Sequence, residues 1–372
     1  MDGVIVNLHG AEHLARRRLE NRLFRRDTFA WYEAEVTPGI IGEVLAPSLA
    51  CGHGDLLPLA RRTMLTLSLG VAGVDRHERP GTPAAAEELD RIYALMDRLA
   101  SASTVAHATG DKAAIIADGQ AALAEFDERF FQPSMRRRRE LVGAHHRGQI
   151  AEADLGRDVL TTLLRNQDRL DLDLDVVLRE IAYFPWVGSH STSNQFVHAM
   201  HHLFTWIRCQ PGDRERLMAD RVLLQRFVHE SLRLHPASPV SLRHALTDVV
   251  LRSGTVLPAG SMVAIELEAA NRDPAVFGAS ADQFDPFRPL AEEVPPWGLS
   301  FGHGVHACLG QELAGGVAYL PADAAGIHLL GSIAVMASVV LAHGARPDPA
   351  NPAERDPSTT REVFGRYPVV FS

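Results

Sequence analysis

The sequence predicts a mainly α-helical chain with a small β region, folded as one domain over residues 1–372. Apolar residues recur at helical spacing through most of the chain up to about residue 236. The clearest alternation of strand type is confined to Ser241–Leu251 and Met262–Leu267, on either side of the Pro- and Gly-containing turn VLPAGS. No repeat, low-complexity tract or linker divides the chain, and 46% hydrophobic residues suffice for one large core.

Taken in order, Ala11–Arg26 reads as a strongly basic amphipathic helix. Pro38–Leu49, Asp55–Leu69, Ala84–Ala100 and Ala113–Phe131 follow with apolar periodicity. The run Arg136–Arg139 is placed near a helix end, where cations complement the dipole and meet solvent. Asp158–Asn166 and Leu172–Trp186 are further helices. A long apolar segment from Tyr183 to Ile207 has a polar centre, GSHSTSNQ. Arg214–Leu234 is a helix stopped by Pro236 and Pro239. Asn271–Pro296 reads as an ordered loop. Gly310–Leu341 is helical, with interruptions expected at Gly315, Gly316 and Pro321. The tail is Pro-rich from Pro347 to Thr360 and ends in a strand signal, REVFGRYPVVF.

Composition excludes several classes. A net charge of −9 and a pI near 6.0 argue against a nucleic-acid binder driven by bulk electrostatics. Lys112 is the sole lysine, which fits a GC-rich coding sequence better than any function. Cys51, Cys209 and Cys308 stand far apart, without C-x-x-C, so neither a zinc ribbon nor a disulfide framework is expected. The N-terminus lacks a signal-type apolar core, and Ile327–Ala342 is too short and too interrupted to span a bilayer. No membrane association and a cytoplasmic location are the expectation.

The stretch most loaded with chemistry is Phe301–Gly310, FGHGVHACLG. A thiolate that binds a metal needs a lowered pKa and donors aimed at its sulfur. Glycines let backbone N–H groups approach, and a helix beginning just after adds a favourable dipole. Gly302, Gly304 and Gly310 surround Cys308, and QELA follows. A free cysteine in a Gly-rich turn is the plain alternative.

This stretch resembles the cysteine-ligand signature of the cytochromes P-450, F-x-x-G-x-H-x-C-x-G, at every fixed position, and the bacterial soluble branch most closely. Glu230-Ser-Leu-Arg233 is similar to that family's E-x-x-R motif, and Phe284-Asp-Pro286-Phe-Arg288 to its F-x-P-x-R motif, in the family's order. The resemblance implies the cytochrome P-450 fold. It implies haem b (iron protoporphyrin IX) held through Cys308, and a buried network of Glu230, Arg233 and Arg288. Phe301 and Gly310 would flank the cofactor. The positions of propionate partners fall on His13 and Arg17, on Arg243 and on His306; a plain surface histidine is the alternative for His13. In the family a longer segment precedes the first helix seen here and forms sheet strands and a substrate lid. Met1 stands close to that helix, so the chain is expected to be N-terminally short, through a misassigned start, a truncated gene or a different lid.

On the oxygen side, the family's A/G-G-x-D/E-T aligns with Val187-Gly188-Ser189-His190-Ser191-Thr192. His190 then replaces the proton-feeding acid and Ser191 the hydroxyl residue, with Thr192 beside it. Serine still donates and imidazole still relays protons. The alternative for His190 is a structural role at a helix kink beside Pro185. The implied function is monooxygenation of a small organic molecule, in natural-product tailoring or xenobiotic oxidation, with electrons from a ferredoxin-type partner. Arg16, Arg18, Arg22, Arg25 and Arg26 would steer that acidic partner, or else form an ordinary solvated face. Departure from the acid leaves two further readings open: a peroxide-driven or non-oxygenative haem-thiolate enzyme, and a degenerate haem-binding protein.

Overall fold

The computed structural model of the chain describes residues 2–103, 105, 110–169, 172–318, 328–357, 359 and 361–372. A 3₁₀ turn at Ile5–Asn7 leads into α1 (Gly10–Glu20). This helix is shorter than its basic pattern suggested, because after Asn21 the N–H groups of Arg22 and Leu23 bond only three residues back, to Leu19 O and Glu20 O, and the chain turns out of the α pattern. Arg22 and Arg25 therefore lie outside it, and Arg26 opens α2 (Arg26–Trp31). A π-helical turn, Tyr32–Val36, joins α2 to α3 (Thr37–Cys51). After β1 (His53–Asp55), the Asp55 carboxylate accepts from Leu57 N–H and so caps α4 (Leu56–Ala72).

The amphipathic α5 (Pro83–Ser103) packs on α6 (Lys112–Phe126). A π turn at Asp127–Phe131 carries the latter into α7 (Gln132–His146). Arg136–Arg139 thus sit in mid-helix, not near an end. Arg138 pairs with Asp75 and Asp158, so a buried ion network takes the place of the expected dipole effect. α8 (Val159–Leu164) is capped by Asp158, which accepts from Thr161 N–H at 2.7 Å.

The helix expected at Leu172–Trp186 and the apolar segment Tyr183–Ile207 form one helix, α9 (Leu174–Cys209), which continues through Pro185. It crosses the middle of the core, against α4, α5, α8, α11 and α15. The next predicted helix is in fact two, α10 (Asp213–Ala219) and α11 (Arg221–Leu234). The break is at Asp220, whose carboxylate accepts from Leu223 N–H and starts a new helix.

The long β stretch also divides. β2 (Val240–His244) pairs antiparallel with β5 (Met262–Glu266), with Arg243 opposite Val263. β3 (Val249–Val250) pairs with β4 (Val256–Leu257). The loop after α12 (Leu267–Ala270) includes the short α13 (Pro274–Phe277) and leads to the cysteine segment. α14 (Gln311–Gly315) is a single short turn, and α15 (Ser332–Ala342) is buried along most of its length. Near the C-terminus come β6 (Arg346–Pro347), β7 (Glu354–Arg355), β8 (Phe364–Arg366) and β9 (Pro368–Val370). β1, β9 and β6 form a three-stranded antiparallel sheet.

The interruption expected at Gly315 and Gly316 has a clear cause. Gly316 (φ +73°) crosses the chain at Gly331 (φ +83°), and a Cβ on Gly316 would lie 2.4 Å from Leu329 O. Only glycine permits both the left-handed backbone and that approach. Gln225 Nε2 donates to the carbonyls of Leu329 and Leu330 at 2.8 and 2.9 Å, tying the crossing to α11. Pro321, the third expected interruption, lies outside the described residues.

Candidate haem-thiolate site

The base of the site is the segment from Phe301 to Gly310. Gly302 and Gly304 take positive φ (+68° and +74°), which folds the loop so that Cys308 N–H donates to Phe301 O at 2.8 Å. The Phe301 ring meets Trp297 edge-on (centroids 5.8 Å) and lies against Gly315, where an added Cβ would come within 3.0 Å of it. Gly310 N–H is directed at the Cys308 sulfur, the donor a thiolate needs. Cys308 is exposed, yet burial pushes its thiol pKa up, against the pull of Gly310 and Arg17. The cysteine is thus reachable from outside while the protein packed around it disfavours its charge.

Around this loop the structure gathers basic groups from three separate stretches of chain. His13, on α1, stacks on His306 with ring centroids 4.0 Å apart, and His9 meets the same ring at 5.8 Å. Burial lowers the pKa of His306, and the charges of His13, His9, Arg243 and Arg17 lower it further. His13 is lowered by burial and by Arg17. Arg17 also senses Cys308. Arg243 Nη1 donates to Ser241 Oγ and to Leu242 O, both at 2.7 Å. Among the described residues, neither Arg17 nor Arg243 makes a salt bridge. On the face of the β2–β5 ribbon that bears Arg243, Ile265 is exposed, while Leu242 and Met262 are exposed on the opposite face.

An accessible sulfur, basic groups without a salt bridge and the exposed Ile265 on the Arg243 face of the ribbon together fit a flat apolar group with acidic edges. Haem meets that description. Its carboxylates would neutralise the basic cluster, its macrocycle would cover the apolar surface, and Cys308 would face its iron. His9 was not anticipated from the sequence; it stands four residues before His13 and has no motif of its own.

Glu230, Arg233 and Arg288 meet behind the loop, all buried. Arg233 donates to both Glu230 oxygens at 2.7 and 2.8 Å, and Arg288 Nη2 lies 3.3 Å from Oε1. The remaining guanidinium donors go to backbone carbonyls, Arg233 to Asn271 and Ala281 and Arg288 to Phe277, Ser280 and Gln283. Such full pairing is what makes buried charge tolerable.

On α9, Ser191 Oγ donates to Val187 O at 2.7 Å, and Thr192 is buried. His190 turns towards α5. Its Nδ1 lies 3.0 Å from Trp186 O, and its Nε2 lies 3.2 Å from Tyr93 Oη and 3.6 Å from Asp97 Oδ1. Its ring stacks on that of Tyr93. Hydrogen bonding to His190 holds Asp97 below the usual carboxylate range. Neither partner was visible from the sequence, because both come from a helix remote in the chain.

The basic surface needs one correction. Arg16 is 2% exposed and bonds to Glu180 at 2.9 Å, so it is a core residue and not part of a docking face. Arg18, Arg22, Arg25 and Arg26 are exposed, and Arg26 lies 3.8 Å from Glu312 on α14, next to the cysteine loop.

Comparison with known proteins points the same way. The family model described as "Cytochrome P450" matches residues 207–315. A "Putative cytochrome P450 133B2" of Xylella fastidiosa is 32% identical over 167 residues, 45% of this chain and 39% of that one. A "Cytochrome P450 monooxygenase buaD" of Petromyces alliaceus is 27% identical over 208 residues, 48% of this chain and 37% of its own. The chain thus spans less than two fifths of the length of these curated relatives. The crystal structure of CYP109E1 from Bacillus megaterium, in complex with testosterone, superposes with a TM-score of 0.74 at 18% identity, over 100% of this chain and 87% of that one. Among the described residues, no helix is long and apolar enough to cross a membrane.

Proposed function

We propose that the chain is a haem-thiolate monooxygenase of the cytochrome P-450 family, a reading supported by the fold it shares with CYP109E1 and by the family-model match over residues 207–315. The reaction inserts one oxygen atom of O2 into a small organic substrate and reduces the other to water. Bound haem supplies iron whose thiolate ligand favours O–O cleavage. The observation that carries the reading is the meeting of an accessible Cys308, with its Gly310 donor, and the basic groups His13, Arg17, Arg243 and His306, gathered from three stretches of chain.

Each residue has a task that its position supports. Cys308 holds the iron, and the Gly310 N–H steadies negative charge on the sulfur. Arg17, Arg243, His13 and His306 bind the propionates. Phe301 fixes the loop through its carbonyl and through its packing on Gly315. Glu230, Arg233 and Arg288 hold the segment behind the loop in place. On α9, Ser191 and Thr192 offer hydroxyl groups, and His190 moves protons between them and the Asp97 side. An acidic electron donor of ferredoxin type docks over Arg18, Arg22, Arg25 and Arg26, beside the loop that bears the ligand.

The reduced, carbon-monoxide-bound absorption spectrum tests the assignment, because it reports the sulfur ligand directly. Haem-loaded protein should give the thiolate-type Soret band, and Cys308→Ala should lose it. Persistence of that band in the variant would refute the assignment. A second reading, turnover driven by peroxide, draws on the imidazole at position 190 where the family's acid would stand. Product formation with hydrogen peroxide alone, at a rate matching the reductant-driven one, would favour it.

A further inference from the structure

Behind the cysteine loop stands a buried histidine that belongs to no motif and has no part in the proposed site. His229, on α11, is 3% exposed. Its Nε2 lies 2.7 Å from Gly315 O. A carbonyl only accepts, so Nε2 carries the proton and donates. Burial pushes the pKa of His229 down to about 4, so the ring is neutral near pH 7. The same ring meets Trp297, with centroids 4.9 Å apart and planes at 78°.

These two contacts reach Cys308 from opposite sides. Gly315 closes α14, and one turn back Ala314 N–H donates to Gly310 O at 2.9 Å. Gly310 N–H is in turn the donor to the Cys308 sulfur. On the other side, Trp297 meets Phe301 edge-on at 5.8 Å, and Phe301 O accepts from Cys308 N–H at 2.8 Å. The circuit closes where the Phe301 ring lies against Gly315. One imidazole therefore touches both flanks of the ligand loop: the flank that fixes the cysteine backbone and the flank that aims a donor at its sulfur. The Glu230 network does not duplicate this, because its guanidinium groups bond to carbonyls within residues 271–283, ahead of the loop. Gln225 Nε2 shares the Gly315 carbonyl only at 3.4 Å.

We propose that His229 is a positioning residue for the haem ligand: its hydrogen bond to Gly315 and its contact with Trp297 hold Cys308 and the Gly310 N–H in register, and so set how strongly the sulfur donates to iron. The inference rests on the haem-thiolate reading and adds to it a residue outside the ligand segment. Partners that orient a metal ligand tune the metal almost as much as the ligand itself. Without the clamp α14 shifts and the Gly310 donor loses its aim. The sulfur left behind is more basic, and it takes up a proton more readily.

The reduced, carbon-monoxide-bound spectrum of the full haem-loaded protein, followed over time, tests this. It reads the thiolate-type band and its conversion to the band of a haem without thiolate. In His229→Leu the conversion should be about tenfold faster, the factor that one buried hydrogen bond confers. The reduction potential of the iron should also move to a more negative value. His229→Gln keeps an N–H donor and should hold both readouts close to those of the unaltered protein. Trp297→Leu, with His229 intact, should speed conversion in the same way, and it carries the test if His229→Leu does not fold. Arg214→Gln removes the bonds to Leu341 O and Ala345 O beyond the far end of α15; it should lower the melting temperature and move neither readout. An unaltered rate and potential in His229→Leu or in Trp297→Leu overturns the proposal. So does conversion in His229→Gln as fast as in His229→Leu, because the hydrogen bond would then not matter. Equally fast conversion in Arg214→Gln overturns it too, since lost stability alone would explain the effect. A thiolate band missing from the unaltered protein instead refutes the haem assignment itself, before any variant is compared.

Discussion

The imidazole of His13 stacks on that of His306 at 4.0 Å with an interplanar angle of 26°, joining α1 to the cysteine loop. Burial first, and then the charges of Arg17 and His9, lower the pKa of His13; burial first, and then His13, His9, Arg243 and Arg17, lower that of His306. Negative propionates would relieve this crowding. Replacing Arg243 or Arg17 by alanine should therefore speed haem loss to an acceptor protein by about tenfold each, the worth of one charge-assisted hydrogen bond. His13→Phe, which keeps the stack and removes the charge, should cost less than either. Equal rates for all three variants would disconnect the cluster from the cofactor.

Removing one member of the Glu230 network should be far more damaging than removing a surface ion pair. Glu230→Gln strands two buried guanidinium groups, a loss of about 3–5 kcal/mol, whereas Arg62→Gln breaks only the exposed pair with Asp90, worth less than about 1 kcal/mol. Chemical denaturation of the two variants measures the difference.

Acid should unfold the protein through a group of histidines around α9. His198 and His235 stack at 4.2 Å, and His202 stacks on Phe284 at 4.3 Å. Burial first, and then neighbouring histidines and arginines, push His198 down to about 2, His202 to about 3 and His235 to about 4. A depressed folded-state pKa means the unfolded chain binds the extra proton. The stability is intact above the unfolded value near 6.5 and is lost as pH falls from there towards the folded values. Each group contributes about 1.4 kcal/mol per pH unit in that window. The urea midpoint should drop steeply from pH 7 to about pH 5, and His198→Phe should flatten the slope. An unchanged slope in that variant would show that His198 is not among the groups responsible.

Position 190 is constrained by its neighbour. With Asp97 Oδ1 3.6 Å from His190 Nε2, an acid at 190 would face a like charge. His190→Asp alone should therefore lower the melting temperature and improve coupled, reductant-driven turnover little. Adding Asp97→Asn should restore stability and raise coupling. If the single and double variants behave alike, the two positions do not interact.

The basic helix shows how far one-dimensional reading reaches. Arg16 and Arg18 are two residues apart in an arginine run, and nothing in their immediate sequence separates them. Arg16 points inward to Glu180, while Arg18 faces solvent. The choice was made by α9, whose Glu180 is remote in the chain. Asp220 is the opposite case: its capping bond to Leu223 N–H is local, and an acid before an apolar run could have revealed the helix break. The pairs His190–Asp97 and Arg16–Glu180 left no such trace, because each joins side chains from separate helices.

The sequence by itself determined the helical class, the confinement of strands to a short region, and the cysteine loop, since each is encoded by residues adjacent in the chain. Periodicity, turn glycines and a ten-residue ligand segment act over a few bonds and need no partner from elsewhere. Only the tertiary structure decided which arginine is buried and which acid faces the histidine at 190. Those outcomes depend on desolvation and on charges brought together by packing, and both are fixed only when distant helices meet.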